Sequence, residues 1–428
     1  MKVEPATQLV GDVAVPAVKG ICQRGVLLGA IANGTTELRG FGHAADTDAA
    51  IRAVRALGVE VSEPAEDVVV VEGRGLRGLR APEEPIDCEN AGTVLRLLSG
   101  ILAAQDGRFE LVGDASLSSR PVRVEVPLAR MGAQVETSNG RLPVTIVGAP
   151  LHAIRYSLPV ASAQVKSSVL LAGLLAQDGP TIVEEPTPTR DHTERLLTSI
   201  GVPVRRHGNE IAVTPVDRLD AFELDISGDF SSAAPFVVAA TLLAGSELRV
   251  HGVNVNPTRI GLLNVLERMG ANIAVFNRRR VGGEPVGDLD IRSAELVGTT
   301  IEEREVPLVV DELPLFALLA TYARGDSVVS GASELRAKET DRIEAVVDGL
   351  RPLGAHIRAN DDGFVVRGVP ARLRGGSIDA RGDHRIAMLG AVAGLVSREG
   401  VEIRGSDSVA VSFPGFYDLL DSLRATTT

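Results

Sequence analysis

A pattern of about 71 residues, repeated six times, constrains this 428-residue chain more than any other feature. Each repeat pairs an apolar, helix-like run with a glycine and then a short strand-like run. The apolar runs are residues 25–33, 94–106, 167–178, 232–244, 313–324 and 386–399, and the glycines are Gly34, Gly107, Gly179, Gly245, Gly325 and Gly400. A glycine just past a helical pattern is a C-terminal stop signal. Thr36-Glu37-Leu38-Arg39, Phe109-Glu110-Leu111-Val112, Glu247-Leu248-Arg249-Val250 and Val401-Glu402-Ile403-Arg404 then alternate polar and apolar, as half-buried strands do. A second landmark is a helix ending in a glycine that opens a strand. It occurs at Gly58, Gly132, Gly201, Gly270 and Gly354, five times rather than six. The sixth repeat ends with its helix at 416–423, and the N-terminal segment 2–16 is expected to supply its missing strand.

The pattern predicts an α/β fold of two similar lobes. Each lobe holds three repeated α/β units with mixed sheets and buried parallel helices, and an active cleft is expected between the lobes. Lobe I is expected to take residues 1–18 and 226–428, and lobe II residues 19–225. The crossings fall near Val18-Lys19 and near 225–228.

Charge and composition exclude several functions. With 56 acidic against 44 basic residues the net charge is −12, the wrong sign for gripping nucleic acid or an anionic membrane. Ten Phe, three Tyr and no Trp leave little for base stacking. The longest apolar stretch, 233–243, is too short to span a membrane. The first residues, Met1-Lys2-Val3-Glu4-Pro5, carry no apolar signal region. Two cysteines, Cys22 and Cys88, exclude a disulfide framework and a cysteine zinc site, and fit a reducing cytoplasm. The seven histidines lack ligand spacing, so no metal and no other cofactor is expected.

Of 44 basic residues only four are lysines: Lys2, Lys19, Lys166 and Lys338. Where arginine is used so generally, a surviving lysine marks a place that needs a compact ammonium rather than a planar fork.

The starts of the long helices carry the chemistry. The fourth and fifth, Gly228-Asp229-Phe230-Ser231-Ser232 and Asp311-Glu312-Leu313-Pro314, read as ordinary caps. The other four place cations where the helix end is already electropositive. They are Lys19-Gly20-Ile21-Cys22-Gln23-Arg24, Asn90-Ala91-Gly92-Thr93 with Arg96, Ser162-Ala163-Gln164-Val165-Lys166-Ser167, and Arg381-Gly382-Asp383-His384-Arg385. A bound anion reverses the sign of each unfavourable term. Equivalent helix starts facing one cleft would bind a multiply charged small anion, or two. Lys338-Glu339-Thr340-Asp341-Arg342 puts two cations at i,i+4. That spacing reads either as an anion clamp or as a solvated helix face with Asp341 as internal partner. The loop 113–121 ending in Arg120-Pro121, and Thr189-Arg190-Asp191-His192, read either as further lining of that cleft or as plain connections. No P-loop, dinucleotide fingerprint or Gly-x-Ser-x-Gly elbow is present.

Lys19 with Arg24, Asn90-Ala91-Gly92-Thr93, Arg120-Pro121, Ser162–Ser167, Lys338–Arg342 and Asp383-His384-Arg385 resemble, in order and along essentially the whole chain, the motifs of the EPSP synthase family. Ser162–Ser167, Arg96-Leu97 and Thr189–His192 are similar to its second class. The resemblance implies two lobes of three repeats closed by the N-terminal strand, and no metal. It implies enolpyruvyl transfer from phosphoenolpyruvate to the 5-hydroxyl of shikimate 3-phosphate, with release of phosphate.

By the same resemblance Asp311 is the base, Lys19 touches both substrates near the reacting oxygen, and Glu339 serves proton transfer at the methylene. Lys19, Gly92, Arg120, Gln164, Arg342 and Arg385 would hold phosphoenolpyruvate. Lys19, Gly20, Arg24, Ser162, Ala163, Gln164, Arg190, Asp311 and Lys338 would hold shikimate 3-phosphate. Gly92 stands where a larger residue blocks glyphosate in tolerant members, so inhibition by glyphosate is expected. A monomer is expected, acting on small molecules without nucleic acid or membrane.

The chain departs from the family's Pro-Gly-x-Lys-Ser at Pro16-Ala17-Val18-Lys19-Gly20, and Cys22-Gln23 replace the usual Ser-Asn. Three alternatives stand beside the main reading. One is a weak or inactive anion-binding paralogue, and another is enolpyruvyl transfer to UDP-N-acetylglucosamine. The latter lacks its expected cysteine, since 113–121 has none. RNA 3′-phosphate cyclisation, which uses related repeats, is opposed by the net negative charge.

Overall fold

A computed structural model gives the structure of the protein and describes residues 1–369 and 371–424. The six apolar runs form six helices: Lys19–Ala30, Gly92–Leu102, Ala163–Leu174, Phe230–Leu242, Leu313–Tyr322 and His384–Val396. These core helices are apolar on nearly every side. In the fourth, every residue from Phe230 to Thr241 is buried. A helix without a polar face belongs in an interior, and its sheet neighbours must enclose it. No helix among the described residues is long and apolar enough to cross a membrane.

Among the described residues, five of the six sheets share one strand order. In the second repeat the short edge strand Ile86–Asp87 runs parallel to Arg108–Val112. That strand pairs antiparallel with Arg141–Val147, which pairs antiparallel with Gln134–Ser138. The first and fourth repeats draw the parallel edge strand from far along the chain. Glu223–Asp225 lies beside Asn33–Arg39, and Val10–Ala14 lies beside Glu247–Asn254. The sixth sheet has three strands. Gly376–Asp379 runs parallel to Val401–Arg404, whose other neighbour is Lys2–Val3, antiparallel. The N-terminal segment thus supplies a strand to the sixth repeat, and its longer strand serves the fourth.

The chain divides into two compact bodies. Lobe I comprises Met1–Pro16, Gly228–Arg279 and Pro285–Thr428, and lobe II comprises Ala17–Ser227 and Arg280–Glu284. The breaks fall after Pro16 and after Ser227. The short run Arg280–Glu284, at the turn between strands Asn272–Val281 and Glu284–Arg292, has no counterpart in the sequence-based division. Each lobe has its own aliphatic core. Lobe I adds an aromatic cluster, with Phe236 and Phe416 at 5.6 Å and Phe413 and Phe416 at 5.4 Å between ring centroids.

Two glycines set how closely elements approach. A Cβ on Gly100 would lie 2.2 Å from the Ser168 carbonyl oxygen, so the second and third core helices of lobe II touch backbone to backbone. A Cβ on Gly394 would lie 2.8 Å from both Val3 Cβ and Val3 O, where the first strand seals the sixth repeat. Gly394→Val is therefore expected to destabilise lobe I by about 1–3 kcal/mol through overpacking. Thermal unfolding followed by circular dichroism checks this, and a variant melting like the parent would show that the first strand does not press on that helix.

Candidate active site

In lobe II the first core helix opens at Lys19 behind Val18, and no side chain caps its first turn. Lys19 Nζ lies 2.5 Å from Asp46 Oδ2, a carboxylate that is itself largely buried. Gln23 Nε2 donates to Asp46 O at 2.8 Å and steadies the same residue. One turn on, Arg24 is buried and donates three ways to neutral oxygens: Nε to Thr193 Oγ1 at 2.7 Å, Nη1 to Gly20 O at 2.8 Å and Nη2 to Ser167 Oγ at 3.1 Å. Burial, helped by neighbouring Arg190, lowers its pKa to about 10 against the pull of Glu194 and Glu284. The departure at Gly20 has a physical counterpart here. A Cβ at that position would sit 3.1 Å from Arg24 Nη1, so the guanidinium fills the room that a serine would take.

The second core helix begins at Gly92, also without a side-chain cap. Arg96 Nη1 donates to Gly92 O at 3.0 Å and to Gln164 Oε1 at 2.7 Å, and its Nη2 donates to Pro121 O at 2.6 Å. Gln164 Nε2 in turn donates to Thr93 Oγ1 at 2.9 Å. Arg120 Nη2 donates to Asn90 O at 2.8 Å and to Asn90 Oδ1 at 2.7 Å. Three separate motifs thus meet around Gly92. Ser162 caps the third core helix, accepting from Val165 N at 3.4 Å, with Ala163 as its first residue.

In lobe I three guanidinium groups surround Asp311. Arg342 Nη1 is 3.4 Å, Arg259 Nη1 3.5 Å and Arg385 Nη2 3.7 Å from its carboxylate oxygens. Arg342 is fully buried and forms a two-pronged pair with Asp383, Nε to Oδ2 at 2.8 Å and Nη2 to Oδ1 at 3.2 Å, and its Nη2 reaches Glu339 at 2.7 Å. Burial disfavours that charge, yet Asp383, Glu339 and Asp311 hold Arg342 well above its ordinary pKa. Arg259 is held up in the same way by Glu312, Asp229 and Asp311. Asp229 lies 3.2 Å from Arg259 Nη2, and Ser231 bonds to both Arg259 and Glu312.

Two expectations from the sequence are corrected here. Lys338 and Arg342 do not share a helix. Lys338 follows a 3-10 turn, Ser333–Ala337, and pairs with Glu334 at 2.7 Å. The helix Arg342–Leu350 starts at Arg342, and Asp341 caps it by accepting from Ile343 N and Glu344 N while pairing with Arg336. The i,i+4 argument therefore fails, because the intervening residues are not helical. The acids of the fourth and fifth helix starts are also more than caps. Asp229 does accept from Ser231 N at 2.8 Å, but it also binds Arg259, and the fully buried Glu312 makes no side-chain cap.

Arg259 and Asp46 were missed in the sequence. A signal for Arg259 existed in Asn254-Val255-Asn256-Pro257-Thr258-Arg259, a dense polar run ahead of a helix. Asn254 Oδ1 accepts from Asn256 N at 3.0 Å and Asn256 Oδ1 accepts from Thr258 N at 2.9 Å, which fixes the turn that delivers the arginine. Among the described residues no group of three His, Cys, Asp or Glu is placed to hold a metal ion.

The residues expected from the sequence to bind substrate or act in catalysis are divided between the lobes. Lobe II carries Lys19, Gly20, Arg24, Gly92, Arg120, Ser162, Ala163, Gln164 and Arg190, and lobe I carries Asp311, Lys338, Glu339, Arg342 and Arg385. The architecture is that of the enolpyruvyl transferases. The solved structure of the enolpyruvyl transferase NikO from Streptomyces tendae aligns with a TM-score of 0.78 over 99% of this chain and 97% of that one, at 17% identity, a likeness of fold alone. Within that class the chain belongs to the family EPSP synthase (3-phosphoshikimate 1-carboxyvinyltransferase), which it matches over residues 3–420. It is 49% identical over 415 residues, 97% of this chain and 95% of its relative, to the 3-phosphoshikimate 1-carboxyvinyltransferase of Acidithiobacillus ferrooxidans. The EPSP synthase structure from Acinetobacter baumannii is 41% identical, with a TM-score of 0.88 over 99% of this chain and 98% of that one.

Proposed function

We propose that this chain transfers the enolpyruvyl group of phosphoenolpyruvate to the 5-hydroxyl of shikimate 3-phosphate, releasing inorganic phosphate, as a cytoplasmic monomer in the shikimate route to aromatic amino acids. The whole-length family relationship carries the reading. The acceptor hydroxyl adds to C2 of phosphoenolpyruvate while the vinyl CH2 gains a proton. Loss of phosphate and of one methyl proton then restores the double bond. The reaction needs a base at the hydroxyl, a proton donor at the methylene and cations for two phosphates and two carboxylates.

Asp311 is assigned as the base and Glu339, 2.7 Å from Arg342, as the group that moves the methylene proton. Lys19, backed by Asp46, is assigned to the reacting oxygen. Gly92, Arg120, Gln164, Arg342 and Arg385 are assigned to phosphoenolpyruvate. Gly20, Arg24, Ser162, Ala163, Arg190, Asp311 and Lys338 are assigned to shikimate 3-phosphate, with Lys19 and Gln164 shared between the substrates. Two of the guanidiniums facing Asp311 belong to Arg342 and Arg385. A bound phosphoenolpyruvate would draw both toward its own charges and leave the carboxylate freer to accept a proton.

Phosphate release measured with phosphoenolpyruvate plus shikimate 3-phosphate, and separately plus UDP-N-acetylglucosamine, tests the reading. Turnover is expected only with the first pair. Tight binding of shikimate 3-phosphate without turnover would replace the reading with an inactive paralogue.

We assign glyphosate as an inhibitor competing with phosphoenolpyruvate beside Gly92. A Cβ there would lie 2.8 Å from Arg96 Nη1 and 3.6 Å from Arg120 Nη1. Gly92→Ala is therefore expected to raise the glyphosate concentration for half inhibition by about tenfold or more, with a smaller rise in the KM for phosphoenolpyruvate. Parent enzyme that turns over unchanged in millimolar glyphosate would refute the assignment.

A further inference from the structure

Lys166 stands in the first turn of the third core helix and is fully buried. Its ammonium meets three oxygens: Glu194 Oε1 at 2.7 Å, Glu185 Oε2 at 3.0 Å and the Thr189 carbonyl at 3.4 Å. Glu185 and Thr189 accept hydrogen bonds from the ammonium, and Glu194 pairs with it as an ion from a third side. A planar guanidinium cannot diverge in this way, which accounts for a lysine surviving in so arginine-rich a chain. Glu185 Oε2 also accepts from Thr189 N at 3.1 Å and Thr189 Oγ1 at 2.8 Å, while its Oε1 accepts from Arg206 Nη2 at 2.7 Å. Burial pushes the Glu194 carboxyl above its ordinary range, and Lys166 pulls it back.

Residues 185–191 form neither helix nor strand, so this cluster of side chains holds their course. Arg190 directly follows the tethered Thr189. Thr193, beside Glu194, accepts from Arg24 Nε and lies 2.7 Å from the hydroxyl of Ser167, next to Lys166. One buried ammonium therefore braces both ends of the segment that carries Arg190, and also the seat of Arg24.

We infer that Lys166 is a positioning residue for the phosphorylated acceptor: it fixes segment 185–194 so that Arg190 and Arg24 keep one spacing for a ligand with a phosphate and a carboxylate. The inference rests on the reading above that these two arginines bind shikimate 3-phosphate. It adds a role for a group that touches neither substrate.

Lys166→Met tests it in steady-state kinetics with both substrates varied, and in hydrogen exchange of the 185–194 amides. The expected result is a rise of about tenfold in the KM for shikimate 3-phosphate, an unchanged KM for phosphoenolpyruvate, a kcat within about threefold of the parent, and faster exchange confined to that segment. An unchanged KM for shikimate 3-phosphate, or losses shared equally by both substrates, would overturn the inference. Parent enzyme that neither binds nor turns over shikimate 3-phosphate would instead overturn the functional reading, and the exchange data would still report on the tether. Should Lys166→Met fail to fold, Glu185→Gln decides. A rise of about threefold or more in the same KM supports the inference, and no change overturns it.

Discussion

Asp311→Asn is expected to lower kcat about a thousandfold, within the usual range for loss of a general base. The amide keeps the shape of the carboxylate and removes its capacity to take the hydroxyl proton. It also removes the anion that faces Arg259, Arg342 and Arg385. Arg342 retains Asp383 and Glu339, and Arg259 retains Asp229 and Glu312, so the cluster keeps partners and the fold is expected to hold. Because Asn competes less for Arg342 and Arg385, the KM for phosphoenolpyruvate is expected to stay level or fall. A large loss of kcat with no rise in that KM separates the loss of a proton acceptor from a general loosening of the site. A variant with kcat within tenfold of the parent would remove Asp311 from the role of base.

Lys19→Met is expected to reduce kcat/KM for both substrates by about a hundredfold to ten-thousandfold, since it removes the cation we assign to the reacting oxygen. It also leaves the largely buried Asp46 without the ammonium 2.5 Å away, so the single variant is expected to melt below the parent. A second variant separates the two effects. Lys19→Met with Asp46→Asn removes both charges, and it is expected to recover much of the lost thermal stability while remaining inactive. Activity returning together with stability would make Lys19 a structural cation only.

The parts of this molecule that were legible in its sequence are those written locally. Glycines closing helices and alternation in the strands after them gave the six repeats, because both signals act within a few residues. The lobe II candidate residues stood out in the sequence for a related reason. Lys19, Gly92 and Gln164 lie in the opening turns of helices, where a cation or an uncapped end stands out against capping preference.

What escaped was written across distance. Asp46 is 27 residues from Lys19, and Arg259 is 52 residues from Asp311, so no periodicity links either pair. Lys338 and Arg342 misled for the opposite reason. Their spacing is helical, but a 3-10 turn ends before Lys338 and the helix begins only at Arg342. The acid-rich starts of the fourth and fifth core helices looked like caps because capping and ion pairing call on the same residue types.

The pairing of Lys2–Val3 with Val401–Glu402 sets an order of assembly. Lobe II is nearly continuous in the chain, and all but five of its residues have been synthesised once Ser227 is made. Lobe I cannot be sealed until residues past 400 emerge, so during translation the segment holding Val3 and Leu9, both buried in the finished protein, waits uncovered. Lobe I therefore completes its sixth sheet only after the strand Val401–Arg404 has been made.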